Sequence, residues 1–461
     1  METERSRPSG QSLDFSTSDP IAISRRNLML LFVCTLMIGA GFSSLGHAAH
    51  VNGEQRAAIV DAVTEKLREL YVYPDIGERM AQRVATKLEE GLYDAIDVLE
   101  EFVAQLNRDL LSVFPDGHLA VSVLRKRERA QSSDGDWWQE HVENSRFNNC
   151  GFHRLDRMAG NVGYLELTEF DYPEVAGETL IAAMNYLCHT DAIIIDLRQN
   201  PGGRGELVQI LLSYFFEDHR VHYLTELDGV RKITRQWWTL PLVPGKRMPH
   251  IPLYVLTSAN TGSAAEEFAF ALKNQKRATI VGATTAGAAH KTHRHTYPEL
   301  RIEIYMPDGR SFDPVSKKDW EGGGVAPDVP VDPNRALEAA HLMAIEKLLE
   351  GEQREGRRFR LEWAHRDLRA QHSPIVLDEQ EQQSYVGAYD ARTITLEEGT
   401  LYYQRENRPR FVLVPLGDWW FKLEGLDYFR IRFDTDESGA VTTLVGVYDD
   451  GSESPSPRTS D

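Results

Sequence analysis

Apolar residues recur at helical spacing from about residue 53 to residue 113. Ile59, Val60, Val63, Leu67 and Leu70 keep helical spacing until Tyr73-Pro74-Asp75 breaks the run. A second periodic stretch reaches about Leu88, and a third runs from Asp97 through Phe102, Leu106 and Leu110. Three amphipathic helices are predicted, closing at Asp116-Gly117-His118 and a strand-like run at 119–123. From Gly160 to about Val331 the texture changes. Short apolar runs at 162–167, 192–196, 253–256 and 279–281 alternate with helical stretches, the pattern of an α/β layer. A further helix ends near Gly351. From about Tyr385 to Tyr448, short runs at 401–404, 411–414, 419–423 and 428–433 predict an antiparallel β unit.

These changes divide the chain into a leader (1–49), a helical N-terminal subdomain (50–124), a charged linker (125–148), an α/β core (149–350), a polar connector (351–384), a β-rich domain (385–451) and a disordered Ser/Pro-rich tail (452–461). In the leader, an apolar run from Leu28 to Leu45 follows Arg25-Arg26 and ends in Gly46-His47-Ala48-Ala49. The cationic flank and the small residues at its end read as a cleaved secretory signal rather than a retained membrane anchor. Ser24-Arg25-Arg26-Asn27-Leu28 also loosely resembles a twin-arginine signal. Export to a periplasmic or extracellular space is expected, with no stable membrane anchor after cleavage.

Composition adds exclusions. A formal charge of −19 over 461 residues offers no basic stripe for phosphate and disfavours adsorption to anionic lipid. Of three cysteines, Cys34 falls in the leader. Cys150 and Cys188 could pair in an oxidising compartment or stand as two separate thiols. Nothing in the pattern asks for a cofactor, and oligomeric state is left open.

Candidate chemistry lies at the ends of the apolar runs. Residues 253–257 lead into a small-residue turn, Ser258-Ala-Asn-Thr-Gly262, and then a helix beginning near Ser263. A serine there exposes its hydroxyl at a sharp bend, and the free amides of the first helical turn, Ala264 first, point where an oxyanion would develop. The bland alternative is an N-cap serine. Asp196-Leu-Arg-Gln-Asn-Pro-Gly202-Gly203 follows a fully apolar strand, and its two glycines permit close backbone approach. Glu321 precedes three glycines, and His118 follows Asp116-Gly117; each could equally be a surface side chain. His290-Lys-Thr-His293-Arg-His295 has enough histidines for zinc, but without a fixed carboxylate or thiol a solvated His/Lys/Arg edge is expected. Trp137, Trp138, Trp237 and Trp238 suit a substrate groove or core packing equally well.

Together these segments resemble the tail-specific (C-terminal-processing) serine peptidase family, in the branch of interphotoreceptor retinoid-binding protein and the tricorn-protease core. The resemblance runs from about Gln55 to Val331. It is carried by Asp-Leu-Arg-x-Asn-Pro-Gly-Gly, Thr-x-Ser-Ala-Ala-Glu-Glu, Glu-Gly-x-Gly-Val-x-Pro-Asp and Asp-Gly-His, in blocks ending at Gly203, Glu267, Asp328 and His118. It implies a ClpP/crotonase-like α/β core, a spiral of strands and helices, beside a helical N-terminal unit, here followed by a C-terminal antiparallel β unit. One branch of the family uses a lysine base in a Gly-Lys-Gly turn; here that turn reads Gly287-Ala288-Ala289, so the serine–lysine dyad is not expected. No inserted segment reads as a PDZ domain.

The resemblance to the tricorn-like branch implies Ser263 as nucleophile, His118 as general base and Glu321 as its carboxylate partner. The amides of Gly202 or Gly203 and of Ala264 would hold the oxyanion. Some relatives carry a serine directly before the histidine, where this chain has Gly117. The expected function is a serine endopeptidase cleaving peptides or unfolded C-terminal tails through an acyl-enzyme. The alternative is a non-catalytic protein of the same fold that binds a lipophilic ligand.

Overall fold

The computed structural model describes residues 50–124, 134–229 and 232–459. The leader expected over 1–49 lies outside them. Among the described residues, no helix is long and apolar enough to cross a membrane.

The N-terminal helices are α1 (Gly53–Leu70), α2 (Pro74–Glu89) and α3 (Leu99–Leu111). Asn52 caps α1 by accepting the Gln55 N–H at 2.8 Å, while the Gln55 side chain accepts the Asn52 N–H in return. Pro74, at the start of α2, has no N–H to leave unpaired. The apolar faces of the three helices meet over Ile59, Val63, Met80, Phe102 and Leu106. After α3 comes the short strand β1 (Ala120–Val123). The stretch expected as a charged linker holds instead the helix α4 (Asp134–Phe147), which stacks Trp137 and Trp138 on His141.

The core runs through β2 (Phe152–Met158), β3 (Val162–Leu167), α5 (Pro173–Leu187), β4 (Ala192–Asp196), α6 (Gly205–Ser213), β5 (His222–Asp228), β6 (Ile233–Trp238), β7 (Leu253–Thr257), α7 (Ala264–Asn274), β8 (Thr279–Gly282), β9 (His290–Tyr297), β10 (Ile302–Phe312), β11 (Val329–Pro330) and α8 (Ala336–Gly351). One sheet has the order β11-β8-β7-β4-β3-β2, parallel except for the β2–β3 pair. Every residue of β4 and β7 is buried. Ile193 and Ile195 face α5, α6 and α7, while Ile194 and Tyr254 face α8. Cover on both faces is why these strands are continuously apolar. A second, antiparallel sheet has the order β1-β10-β5-β6, with β9 also paired to β10. Because β1 belongs to it, the N-terminal unit is joined to the core by a shared sheet as well as by packing.

The expected polar connector is ordered as α9 (Glu355–His372) and α10 (Glu379–Tyr385). α9 turns Leu361 and Ala364 toward α8, and Phe359 and Trp363 toward the C-terminal sheet. That sheet is an eight-stranded antiparallel meander: β12 (Gly387–Tyr389), β13 (Arg392–Glu397), β14 (Thr400–Arg405), β15 (Phe411–Gly417), β16 (Trp420–Leu423), β17 (Phe429–Thr435), β18 (Val441–Tyr448) and β19 (Glu453–Pro457). β19 corrects the expected disordered tail: Glu453 to Pro457 pair along β18, an edge position that tolerates their two prolines. Cys150 and Cys188 are both free thiols, so the possible disulfide is not formed.

Arg430 on β17 ties α9 to this sheet. Its guanidinium, almost fully buried, lies 3.8 Å over the Trp363 ring and donates to the Trp363 carbonyl and to Asp367 Oδ2, each at 2.7 Å. Arg430→Ala should lower unfolding stability by about 2–3 kcal/mol in urea titrations, because it strands the Asp367 carboxylate beside an emptied cavity. A loss below about 0.5 kcal/mol would place this pair with ordinary surface contacts.

Candidate active site

The parallel strands β4, β7 and β8 deliver three loops to the same end of the sheet, where ligands of open α/β sheets bind. The loop after β4 is built by side chains. Asp196 pairs with Arg198 at 2.6 Å and accepts the Tyr164 hydroxyl at 2.8 Å. Asn200, fully buried, donates to the Leu167 carbonyl and accepts the Gly202 N–H at 2.9 Å. The loop after β7 is stitched to it: Thr261 Oγ1 donates to the Leu197 carbonyl at 2.8 Å, and the Gly262 N–H to the Asn200 carbonyl at 3.0 Å.

Ser263 ends that second loop with φ 49° and ψ −117°. A left-handed backbone is strained for a serine and persists only where its surroundings hold it. Here the holder is Glu266. Its buried carboxylate accepts the Ser263 N–H at 2.8 Å, the Gly287 N–H at 2.7 Å, the Ala288 N–H at 2.8 Å and the Thr285 hydroxyl. Burial, the largest effect, pushes this carboxyl up, and the four donors oppose the shift without cancelling it.

Gly202 and Gly203 lie at φ 120° and 134°. A Cβ on Gly202 would come within 2.8 Å of Ser263 Cβ and 3.0 Å of Ala264 N, and one on Gly203 would strike the Phe170 carbonyl. Only glycine fits this approach. The two are not equivalent as donors. The Gly202 N–H is already given to Asn200, which corrects the expectation that either could serve. The Gly203 N–H has no partner among the described residues, and Ala264 opens a helix, where the first amides are free of intrahelical bonds.

Ser263, His118, Gly203, Ala264 and Ala288 line one cavity of about 330 Å³. His118 comes from the turn between α3 and β1, and its N–H donates to Asp116 Oδ1 at 2.9 Å. Glu321 is not the surface carboxylate of a glycine turn: its side chain is 3% exposed and sits 3.9 Å from His118 Nδ1. That is ion-pair range rather than a hydrogen bond. Glu321 Oε2 instead accepts the N–H groups of Ala289 and His290, at 2.6 and 3.0 Å. Trp237 lines the same cavity, whereas Trp137 and Trp138 stack on His141.

The histidine-rich strand departs from expectation. His293 is half-buried against Asp308, but His290 has a fully buried side chain. Its Nδ1 lies 2.9 Å from Asp116 Oδ2 and 3.6 Å from Glu321 Oε2, and its Nε2 lies 3.4 Å from the Tyr73 hydroxyl. Asp116 Oδ2 also accepts the Tyr71 hydroxyl at 2.8 Å. Asp116, His290 and Glu321 each offer one ligand atom within 4.8 Å of the others, a spacing open to a metal ion. His290 Nδ1 and Asp116 Oδ2 already face each other, Asp116 Oδ2 also takes the Tyr71 hydroxyl, and Glu321 Oε2 takes two backbone N–H groups, so these atoms are engaged in hydrogen bonds; Glu321 Oε1 has no hydrogen-bond partner among the described residues.

Two family profiles match this chain. One, described as peptidase family S41, covers residues 161–331, and the other, the N-terminal domain of peptidase S41 in eukaryotic interphotoreceptor retinoid-binding protein, covers residues 53–147. The chain belongs to peptidase family S41. Its relatives include a carboxyl-terminal-processing protease of Synechocystis sp., 32% identical over 136 residues, which are 28% of this chain and 29% of that one. The chloroplastic carboxyl-terminal-processing peptidase 3 of Arabidopsis thaliana is 27% identical over 177 residues, 38% of this chain and 32% of that one. This S41 chain thus spans about a third of the length of the curated relatives it matches. Among solved structures, the photosystem II D1 C-terminal processing protease aligns with 61% of this chain and 94% of its own, at 16% identity and a TM-score of 0.39.

On the amino-acid sequence of this S41 chain alone, Glu266, Asp116 and His290 have no assigned part in the site. Glu266 had a visible signal, since Ser263-x-x-Glu266 is a capping-box spacing. His290 had none, because its partner lies 174 residues away.

Glu267, one turn beyond Ser263, also lines the cavity. Burial, then the charges of Glu226 and Glu206, push its carboxyl up to about 8. The folded protein therefore keeps a proton that the unfolded chain releases near pH ~4.3, and stability falls as pH rises from there to about 8. Glu267→Gln, neutral at every pH, should match wild type near pH 4 and exceed it by about 1–3 kcal/mol near pH 9 in urea unfolding. A difference that does not grow with pH would remove this account of Glu267.

Proposed function

We propose that this S41 chain is a serine endopeptidase in which Ser263 attacks the peptide carbonyl, His118 takes and returns the proton, and Glu321 stabilises the imidazolium. The observation that carries the reading is Ser263 on a strained bend between β7 and α7, sharing one cavity with His118 and two uncommitted backbone amides. A serine hydroxyl is too weak an acid to attack an amide unaided, so the nucleophile needs the imidazole. The Gly203 and Ala264 amides would stabilise the developing oxyanion, the acyl-enzyme would form as the amine leaves, and water would release it. Ala288, where the other branch places its lysine, offers no base.

The substrates proposed are extended peptides or unfolded protein tails, in keeping with relatives named carboxyl-terminal-processing proteases. The cavity walls include Arg204, Glu206, Glu226, Arg235, Glu267 and Lys291. Such walls favour a peptide backbone and polar side chains over the lipophilic ligand of the alternative reading. Export, proposed from the leader, would place this activity outside the cytoplasm.

Ser263→Ala should abolish labelling by a fluorophosphonate probe and lower kcat on an unstructured peptide by thousands-fold, with an unchanged circular dichroism spectrum. His118→Ala should lower kcat on the same peptide by a comparable factor, as the loss of a general base would. Residual Ser263→Ala turnover within about tenfold of wild type would overturn the assignment.

A further inference from the structure

His118 and Ser263 belong to different parts of the chain, the base to the turn between α3 and β1 and the nucleophile to the core. Proton transfer between them needs sub-ångström registration, and a misplacement of about 1 Å can cost ~100-fold in rate. A path of hydrogen bonds and one short run of chain links their backbones. Glu266 holds the Ser263 and Ala288 amides; two residues after Ala288, His290 opens β9; its Nδ1 meets Asp116 Oδ2; and Asp116 Oδ1 holds the His118 amide. The same histidine lies beside Glu321, whose Oε2 accepts the His290 N–H.

We propose that His290 is a positioning residue of this site, a buried imidazolium whose ion pair with Asp116 sets the His118 turn against the core. The inference rests on the peptidase reading. Asp116 and Glu321 have side chains 0% and 3% exposed, and a neutral His290 would leave them as two buried carboxylates without a cation between them. Around His290 stand Asp116 from the α3–β1 turn, Glu321 and Asp319 from the segment before β11, and Tyr73 from the α1–α2 turn. Burial is the largest single influence and lowers its pKa. The Asp116 hydrogen bond and charge, with Glu321 and Asp319, outweigh it, so the net shift is upward. Asp116 is held below the usual carboxylate range: burial pushes it up, and His290, the His118 N–H and the Tyr71 hydroxyl together pull it further down. The pair is therefore complete above the Asp116 pKa and is lost as pH rises through the raised pKa of His290.

The test is His290→Gln, which keeps an N–H donor but no charge, with His293→Gln as a control outside the site. Active sites are counted by fluorophosphonate labelling, and imidazole titrations are followed by NMR of histidine labelled at Cε1. Expected in His290→Gln are a kcat about 100-fold lower, KM within about threefold, loss of the wild-type alkaline limb and a displaced His118 resonance, none of them seen in the control. A kcat per labelled site and a pH profile like wild type would overturn the proposal and leave His290 a purely structural residue. If the wild type hydrolyses nothing, the peptidase reading fails, and the His118 resonance alone decides: displacement in His290→Gln supports the positioning link and an unmoved line overturns it. Should His290→Gln not fold, wild-type NMR decides. A His290 line titrating at or below ~6.5 overturns the proposal, and one still protonated at neutral pH, with the His118 line moving as His290 deprotonates, supports it.

Discussion

The carboxylate of Glu266 is the constraint on which the site depends. Sealed from water, it would be costly to hold in place alone; the Ser263, Gly287 and Ala288 amides and the Thr285 hydroxyl offset that cost. In doing so it fixes a serine backbone that would otherwise relax out of the left-handed region, and it draws the loop after β8 against the first turn of α7. Remove it and four buried donors are left facing nothing. The Ser263 bend and the wall around Ala288 would loosen together.

The surrounding architecture explains why so many donors converge here. Parallel strands end at one edge of the sheet, and each following loop must satisfy backbone groups that the sheet no longer pairs. Asn200, Thr261 and Glu266 do this with side chains rather than water. Two amides of cavity-lining residues, Gly203 and Ala264, have no partner among the described residues. Polar order of this kind gives an electrostatic site that needs little rearrangement during reaction.

A second consequence is that the site is shared between separately packed parts. The helical unit has its own apolar centre around Phe102 and Leu106, yet its last turn carries His118 and Asp116, and β1 is paired to β10 of the core. Apolar burial that brings such units together is non-directional and does not by itself fix the distance between single atoms. Hydrogen bonds such as Asp116–His290 are directional and set the remaining distance. The same division of labour recurs at the other end of the chain, where Phe359 and Trp363 pack α9 on the β meander and Arg430 fixes its register.

The elements whose pattern is local were legible from the amino-acid sequence. Helical spacing marked α1 to α3, short apolar runs marked β3, β4, β7 and β8, and turn-separated alternation marked the C-terminal strands, because burial on one face or both imposes those patterns directly. The blocks around Gly203, Ser263, Glu321 and His118 could be read as chemistry through their joint resemblance to the serine peptidase family, since each alone also fits a turn, a cap or a surface side chain. Segments whose order comes from a neighbour were misread. α4 and α9 are too polar to announce a buried face, and β19 is a strand only because β18 offers it an edge. Tertiary structure alone decided that Gly202 is spoken for by Asn200, that Glu321 is buried, and that His290 leaves the solvent to meet Asp116. Hydrogen bonds and ion pairs between residues many positions apart leave no period in a sequence; they exist only once the core has brought the partners together.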